Sequence, residues 1–97
     1  MTQLGKIYLS PGGMQLIVTK GGPGTLSDGE VTLLRADSGE KYPAGTAAGA
    51  QPLQLGKRYK SVDGAVEVLI NKPGPCDLRY ERQPMELKEA KPLPSSD

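Results

Sequence analysis

The sequence predicts an all-β chain built from two short hairpin units. Three observations predict it: an internal repeat, apolar β-branched runs of strand length in each copy, and Gly and Pro residues between those runs. Residues 4–13 read LGKIYLSPGG and residues 55–64 read LGKRYKSVDG. Leu4, Gly5, Lys6, Tyr8, Ser10 and Gly13 thus recur as Leu55, Gly56, Lys57, Tyr59, Ser61 and Gly64. Six identities in ten positions mark a duplication. The second copy then carries one extra residue, after which MQLIVTK (14–20) lines up with VEVLINK (66–72). Lys20, Gly22, Pro23 and Leu26 match Lys72, Gly74, Pro75 and Leu78.

Each copy follows one plan. A short strand carries the tyrosine, at 6–9 and 57–60, and a tight Ser-x-x-Gly turn follows. The next strand holds Leu16, Ile17, Val18 and Thr19 in one copy and Val68, Leu69 and Ile70 in the other, residue types suited to a pleated, buried surface. Gly21–Gly24 and Pro73–Pro75 close these strands, because Pro fixes φ while Gly permits positive φ. A last short strand holds Val31, Leu33 and Leu34 in the first copy, and Met85 and Leu87 in the second. Between the copies, residues 37–54 are rich in Gly and Ala and lack a sustained period, as a linker or long loop does. The expected organisation is a first unit at 1–36, a linker at 37–54, a second unit at 55–88 and a tail at 89–97.

Composition narrows the function. Among 97 residues there is one cysteine, Cys76, and there is no His, Trp or Phe. One chain can form no internal disulfide and no cysteine- or histidine-based zinc site from that inventory. The net charge of +1, with dispersed Lys and Arg, gives no electrostatic argument for nucleic acid. No apolar run approaches the roughly 18 residues of a membrane span, and the N-terminus lacks the basic and apolar regions of a signal peptide. The expected location is the cytoplasm, without a membrane partner and without a cofactor.

The second copy resembles desulforedoxin and the similar N-terminal domain of desulfoferrodoxin. Their pattern is Tyr-Lys-Cys-x-x-Cys-Gly, an apolar strand, a Gly-rich turn, and Leu-x-Cys-Cys-Gly-x-x-Met. Here Tyr59-Lys60-Ser61-Val62-Asp63-Gly64 opens the motif and Leu78-Arg79-Tyr80-Glu81-Arg82-Gln83-Pro84-Met85 closes it. The first copy runs from Tyr8-Leu9-Ser10 to Leu26-Ser27-Asp28-Gly29, with Leu33 at the Met place. The resemblance covers roughly two thirds of the chain. It implies a zinc-ribbon-like fold, with two small units packed as a pseudo-twofold dimer within one chain. It also implies that the metal-ligand positions are Ser10, Gly13, Asp28 and Gly29 in one copy and Ser61, Gly64, Tyr80 and Glu81 in the other. None is a cysteine.

A structural thiolate site contributes about 10–16 kcal/mol to the folding of small zinc domains. Units this small need a replacement for it. Fusion makes the pairing of units intramolecular, so we expect Tyr8, Leu16, Val18 and Leu26 to pack with Tyr59, Val68, Ile70 and Leu78.

Each chemical motif has a plainer reading beside it. Asp28 with Glu30, or Asp63 with Asp77 and Glu81, offers too few oxygens for the six to eight that calcium takes. Cys76 has no histidine to activate it, and the adjacent Asp77 raises its pKa, so it reads as a turn residue. Ser10 and Ser61 lack a base and a nucleophile-elbow context. Gly21–Thr25 lacks the Gly-Lys-Ser/Thr ending of a phosphate loop. Tyr8 and Tyr59 read as core. Tyr80, flanked by Arg79 and Arg82, reads as surface. The expected function is a metal-free accessory or protein-binding module that meets another protein through Tyr42, Arg79, Tyr80 and Arg82, and exists as a monomer or a weak homo-oligomer. The competing reading is a small enzyme or small-molecule binder with a pocket at the former metal positions, where Tyr80 and Glu81 serve as acid and base.

Overall fold

The computed structural model describes residues 2–46, 49 and 51–88. Twelve short strands follow in order: β1 (Ile7–Leu9), β2 (Gln15–Lys20), β3 (Leu26–Asp28), β4 (Val31–Thr32), β5 (Leu34–Arg35), β6 (Pro52–Leu53), β7 (Arg58–Lys60), β8 (Glu67–Lys72), β9 (Gly74–Pro75), β10 (Leu78–Tyr80), β11 (Gln83–Pro84) and β12 (Glu86–Leu87). A single 3₁₀ turn at Ala36–Ser38 is the only helical element among the described residues. The all-β class is therefore as expected.

The strands form three antiparallel sheets, ordered β12-β7-β8-β2-β1-β5, β11-β10-β3-β4 and β6-β9. Both larger orders stay unchanged when each first-copy strand is exchanged for its repeat in the second. In the six-stranded sheet the copies meet at β2 and β8, where Leu16 faces Ile70, Ile17 faces Leu69 and Val18 faces Val68. Alternation along each strand sends Leu16, Val18, Val68 and Ile70 to one side, and all four are buried. On that side they join Tyr8, Leu26 and Leu78 in a single core, with Tyr59 packed against it. The expected shared core is thus present, and neither copy has a core of its own.

Local hydrogen bonds repeat with the sequence. Gly13 N–H bonds Ser10 O at 3.1 Å, and Gly64 N–H bonds Ser61 O at 2.8 Å, closing the two Ser-x-x-Gly turns. Leu33 N–H bonds Leu26 O and Met85 N–H bonds Leu78 O, each at 3.0 Å. Leu33 and Met85 are both buried. Each pins the point where the chain leaves the four-stranded sheet for the six-stranded one. For that reason the last strand expected around Val31, Leu33 and Leu34 is two strands, β4 and β5.

The repeat also begins earlier than Leu4 and Leu55. Thr2 pairs with Gly22 in an isolated bridge, and Leu53 pairs with Gly74 in β6–β9. Gln3-Leu4-Gly5-Lys6 and Gln54-Leu55-Gly56-Lys57 form matching turns, in which Lys6 N–H bonds Gln3 O and Lys57 N–H bonds Gln54 O. The end of the segment read as a linker is therefore a strand with a buried leucine. Its start is also held: Tyr42 donates its hydroxyl to Leu9 O at 2.6 Å and accepts from Leu34 N–H at 2.9 Å.

One carboxylate ties three elements together. Glu67 is buried and pairs with Lys20 at 2.9 Å and Lys88 at 2.5 Å. Hydrogen bonds from these ammonium groups hold its carboxyl down at about 2, against an ordinary 4.5. A folded-state pKa below the unfolded one means stabilisation that is complete above about pH 4.5 and lost as pH falls through about 2. Glu67→Gln should therefore lower the melting temperature at neutral pH, with the difference from the parent chain closing between pH 4.5 and 2 in a pH series of thermal melts. A gap that persists at the acid end would contradict this.

Candidate functional site

In both copies the Ser-x-x-Gly turn is closed by its serine side chain. Ser10 Oγ accepts from Met14 N–H at 3.0 Å, and Ser61 Oγ accepts from Val66 N–H at 3.1 Å while donating to Asp63 at 2.6 Å. Both serines are buried, so they hold turns and present no nucleophile. Gly13 and Gly64, at positive φ, have nothing within 4 Å of where a Cβ would stand. They supply no donor atom.

Asp28 and Tyr80, which occupy matching places in the repeat, face across the copies. Asp28, at the end of β3, is 3 % exposed. Its Oδ1 accepts from Asp77 N–H at 2.8 Å and from Gly49 N–H at 2.9 Å. Tyr80, the repeat partner of Asp28 at the end of β10, accepts from Gly24 N–H at 2.8 Å. Tyr80 therefore binds backbone in the Gly21–Gly24 turn of the opposite copy, and Asp28 binds backbone just after the Pro73–Pro75 turn of the opposite copy and at Gly49. The fit is steric as well. A Cβ on Gly22 would stand 2.7 Å from the Tyr80 hydroxyl, and one on Gly24 would stand 2.6 Å from the Tyr80 ring. The matching residue to Gly24 is Cys76, beside Asp28. A large side chain opposes a bare turn in one half, and a smaller one opposes a thiol in the other.

These placements correct two readings from sequence. Tyr80 is not a free surface residue, because its ring packs against the core. Cys76 is not an incidental turn residue, because it is 1 % exposed and part of that core. Burial, then the Asp28 and Asp77 carboxylates, push its thiol well up, so it stays protonated at neutral pH. Among the described residues Asp28 Oδ2 has no hydrogen-bond partner. Among the described residues no three His, Cys, Asp or Glu side chains converge as metal ligands do.

The outward side of the four-stranded sheet carries an open groove of about 840 Å³. Three small residues, Thr25 just before β3, Ser27 of β3 and Thr32 of β4, form its floor. Charged residues of the second copy, Asp77, Arg79, Glu81 and Arg82, form its wall. Arg79 donates Nε to Asp77 at 2.9 Å and Nη1 to Arg82 O at 3.1 Å. Glu81 and Arg82 form the turn between β10 and β11 at φ 52° and 66°, a left-handed pair typical of type I′ hairpins, where Asn and Gly are preferred. The repeat partner of Glu81 is Gly29, at φ 59°. Glu81 and Arg82 thus stand where the first copy begins its turn with glycine. Of the expected partner residues, the structure brings Arg79 and Arg82 together in this groove. Tyr42 lies elsewhere, with its hydroxyl engaged inside the fold and its phenol pushed up by burial. Ser27 was not singled out from sequence. Its register opposite Arg79 across the β3–β10 pair reveals it.

The cross-copy bonds predict a ranking. Tyr80→Phe removes the acceptor of Gly24 N–H and should cost about 1–2 kcal/mol, whereas Asp28→Ala orphans two N–H groups and should cost about 1.5–3 kcal/mol. Urea denaturation measures both, and equal stability of Tyr80→Phe and the parent chain would contradict the bond. Compared with protein-family models, curated proteins and solved structures, the chain matches none.

Proposed function

We propose that the chain is a duplicated desulforedoxin-like frame, its two zinc-ribbon-like units related by a pseudo-twofold axis, that works without metal as a cytoplasmic accessory module binding another protein. Two features support the frame. The repeat maps each strand order onto itself, and the ligand-equivalent residues Asp28 and Tyr80 are spent on hydrogen bonds between copies. The observation that carries the binding role is the Glu81–Arg82 turn. Non-glycine residues in the left-handed region cost of order 1–3 kcal/mol each, and such strain concentrates at functional positions. Here it holds two exposed, oppositely charged side chains at the rim of the groove, neither of them in an ion pair among the described residues. Neighbouring Arg79 has donors in hand for a partner carboxylate or carbonyl.

A second reading, a small-molecule binder, is favoured by the groove itself. It spans both copies and includes Gly29 and Glu81, two of the ligand-equivalent positions. Of the pair Tyr80 and Glu81, Glu81 lines this groove, while the Tyr80 hydroxyl accepts from Gly24 N–H.

The double variant Glu81→Asn/Arg82→Gly separates function from fold. Restoring the preferred turn pair should raise stability by about 1 kcal/mol or more and abolish capture of the partner recovered reproducibly with the parent chain. A stabilised variant that still captures this partner would sink the proposal.

A further inference from the structure

The two copies differ chemically on the outward face of the six-stranded sheet, although the backbone there is the same. Tyr8 and Tyr59 point inward, so their strand neighbours point outward. These neighbours are Ile7 and Leu9 in the first copy and Arg58 and Lys60 in the second. The fold itself accepts long polar side chains at these places, as the second copy demonstrates. The apolar pair in the first copy is therefore not a folding requirement.

The apolar character continues across the sheet. Ile7 faces Ile17, and Ile17 faces Leu69, while Leu9 faces Leu34. All five are only half-buried and stand outside the core cluster. Leu9 and Leu34 line a groove of about 310 Å³ that Tyr42 walls on one side. Lys41 and Lys72 stand at this groove, both exposed and neither in an ion pair among the described residues. Glu40 is its one carboxylate.

We propose that this first-copy face docks an extended peptide segment of a partner protein that carries two apolar side chains flanked by carboxylates. Leu9, Leu34, Ile7 and Ile17 take the apolar side chains, and Lys41 and Lys72 take the carboxylates. The inference rests on the protein-binding reading but uses a surface separate from the Arg79–Arg82 groove. Apolar contact supplies affinity and the lysines supply polarity of choice.

The probe is acetyl-Glu-Leu-Thr-Leu-Asp-amide, titrated into the isotope-labelled full chain and followed by amide chemical shifts, with acetyl-Lys-Leu-Thr-Leu-Lys-amide as its charge-reversed counterpart. The acidic peptide should shift the amides of Leu9, Leu34, Tyr42 and Lys72, and the basic peptide should bind at least about tenfold more weakly. Ile7→Gln/Leu9→Gln should keep a dispersed spectrum, because Arg58 and Lys60 occupy the same positions, and lose about tenfold or more in affinity. Arg79→Ala/Arg82→Ala should bind the acidic peptide as the parent chain does. Absence of shifts at about 2 mM peptide, affinity unchanged in Ile7→Gln/Leu9→Gln, or loss in Arg79→Ala/Arg82→Ala would each overturn the inference. So would self-association of the parent chain that Ile7→Gln/Leu9→Gln abolishes, since the face would then belong to a second copy.

Discussion

The pairing of β2 with β8 is the contact on which the rest of the molecule depends. It is the only place where the six-stranded sheet passes from one copy to the other. It sets Leu16 against Ile70 and Val18 against Val68, all fully buried. A three-strand unit of this length has too little apolar surface to offset its own conformational entropy. Joined edge to edge, the two units bury one common aliphatic layer, roughly 1.5–3 kcal/mol for each side chain removed from water. Every other cross-copy feature follows from that alignment, because it brings each Ser-x-x-Gly turn beside the Gly/Pro turn of the other copy.

That juxtaposition explains the chemistry of the site. At matching places in the repeat the chain directs an aspartate and a tyrosine to backbone N–H groups across the interface. Such bonds are individually modest, near 1 kcal/mol net, but leaving them unmade in a buried place costs more. They specify which segment meets Asp28 and which meets Tyr80, and the glycines at 22 and 24 leave the space that Tyr80 fills. The polar face of the four-stranded sheet and the apolar half of the six-stranded one are the outward surfaces on which the copies differ.

Much of this was legible in the sequence. The repeat identified the main strands, and the expectation of a core shared between copies placed Tyr8, Leu16 and Val18 in it. Three things were not legible. The partition of the last strand around Leu33 and Met85 depends on where the second sheet lies, which no local pattern states. The burial of Cys76 and the partial burial of Tyr80 depend on contact with the opposite copy, since a Pro-Cys-Asp turn and an Arg-Tyr-Glu-Arg strip read as surface when taken alone. The earlier start of the repeat was available in the shared Gln3 and Gln54, but Thr2 and Leu53 share no side-chain chemistry, so the match fades there. In the other direction, comparing copies exposes what neither shows singly. Ile7 against Arg58 and Gly29 against Glu81 are differences that the common backbone does not demand.

The account turns on two copies that hold each other without a metal. Residue-resolved urea unfolding of the intact chain in excess chelator, followed by amide resonances, tests this most directly. Amides of β1 and β2 and amides of β7 and β8 should share one midpoint, unchanged by chelator. Two separate midpoints, or a midpoint that falls when chelator is added, would contradict it.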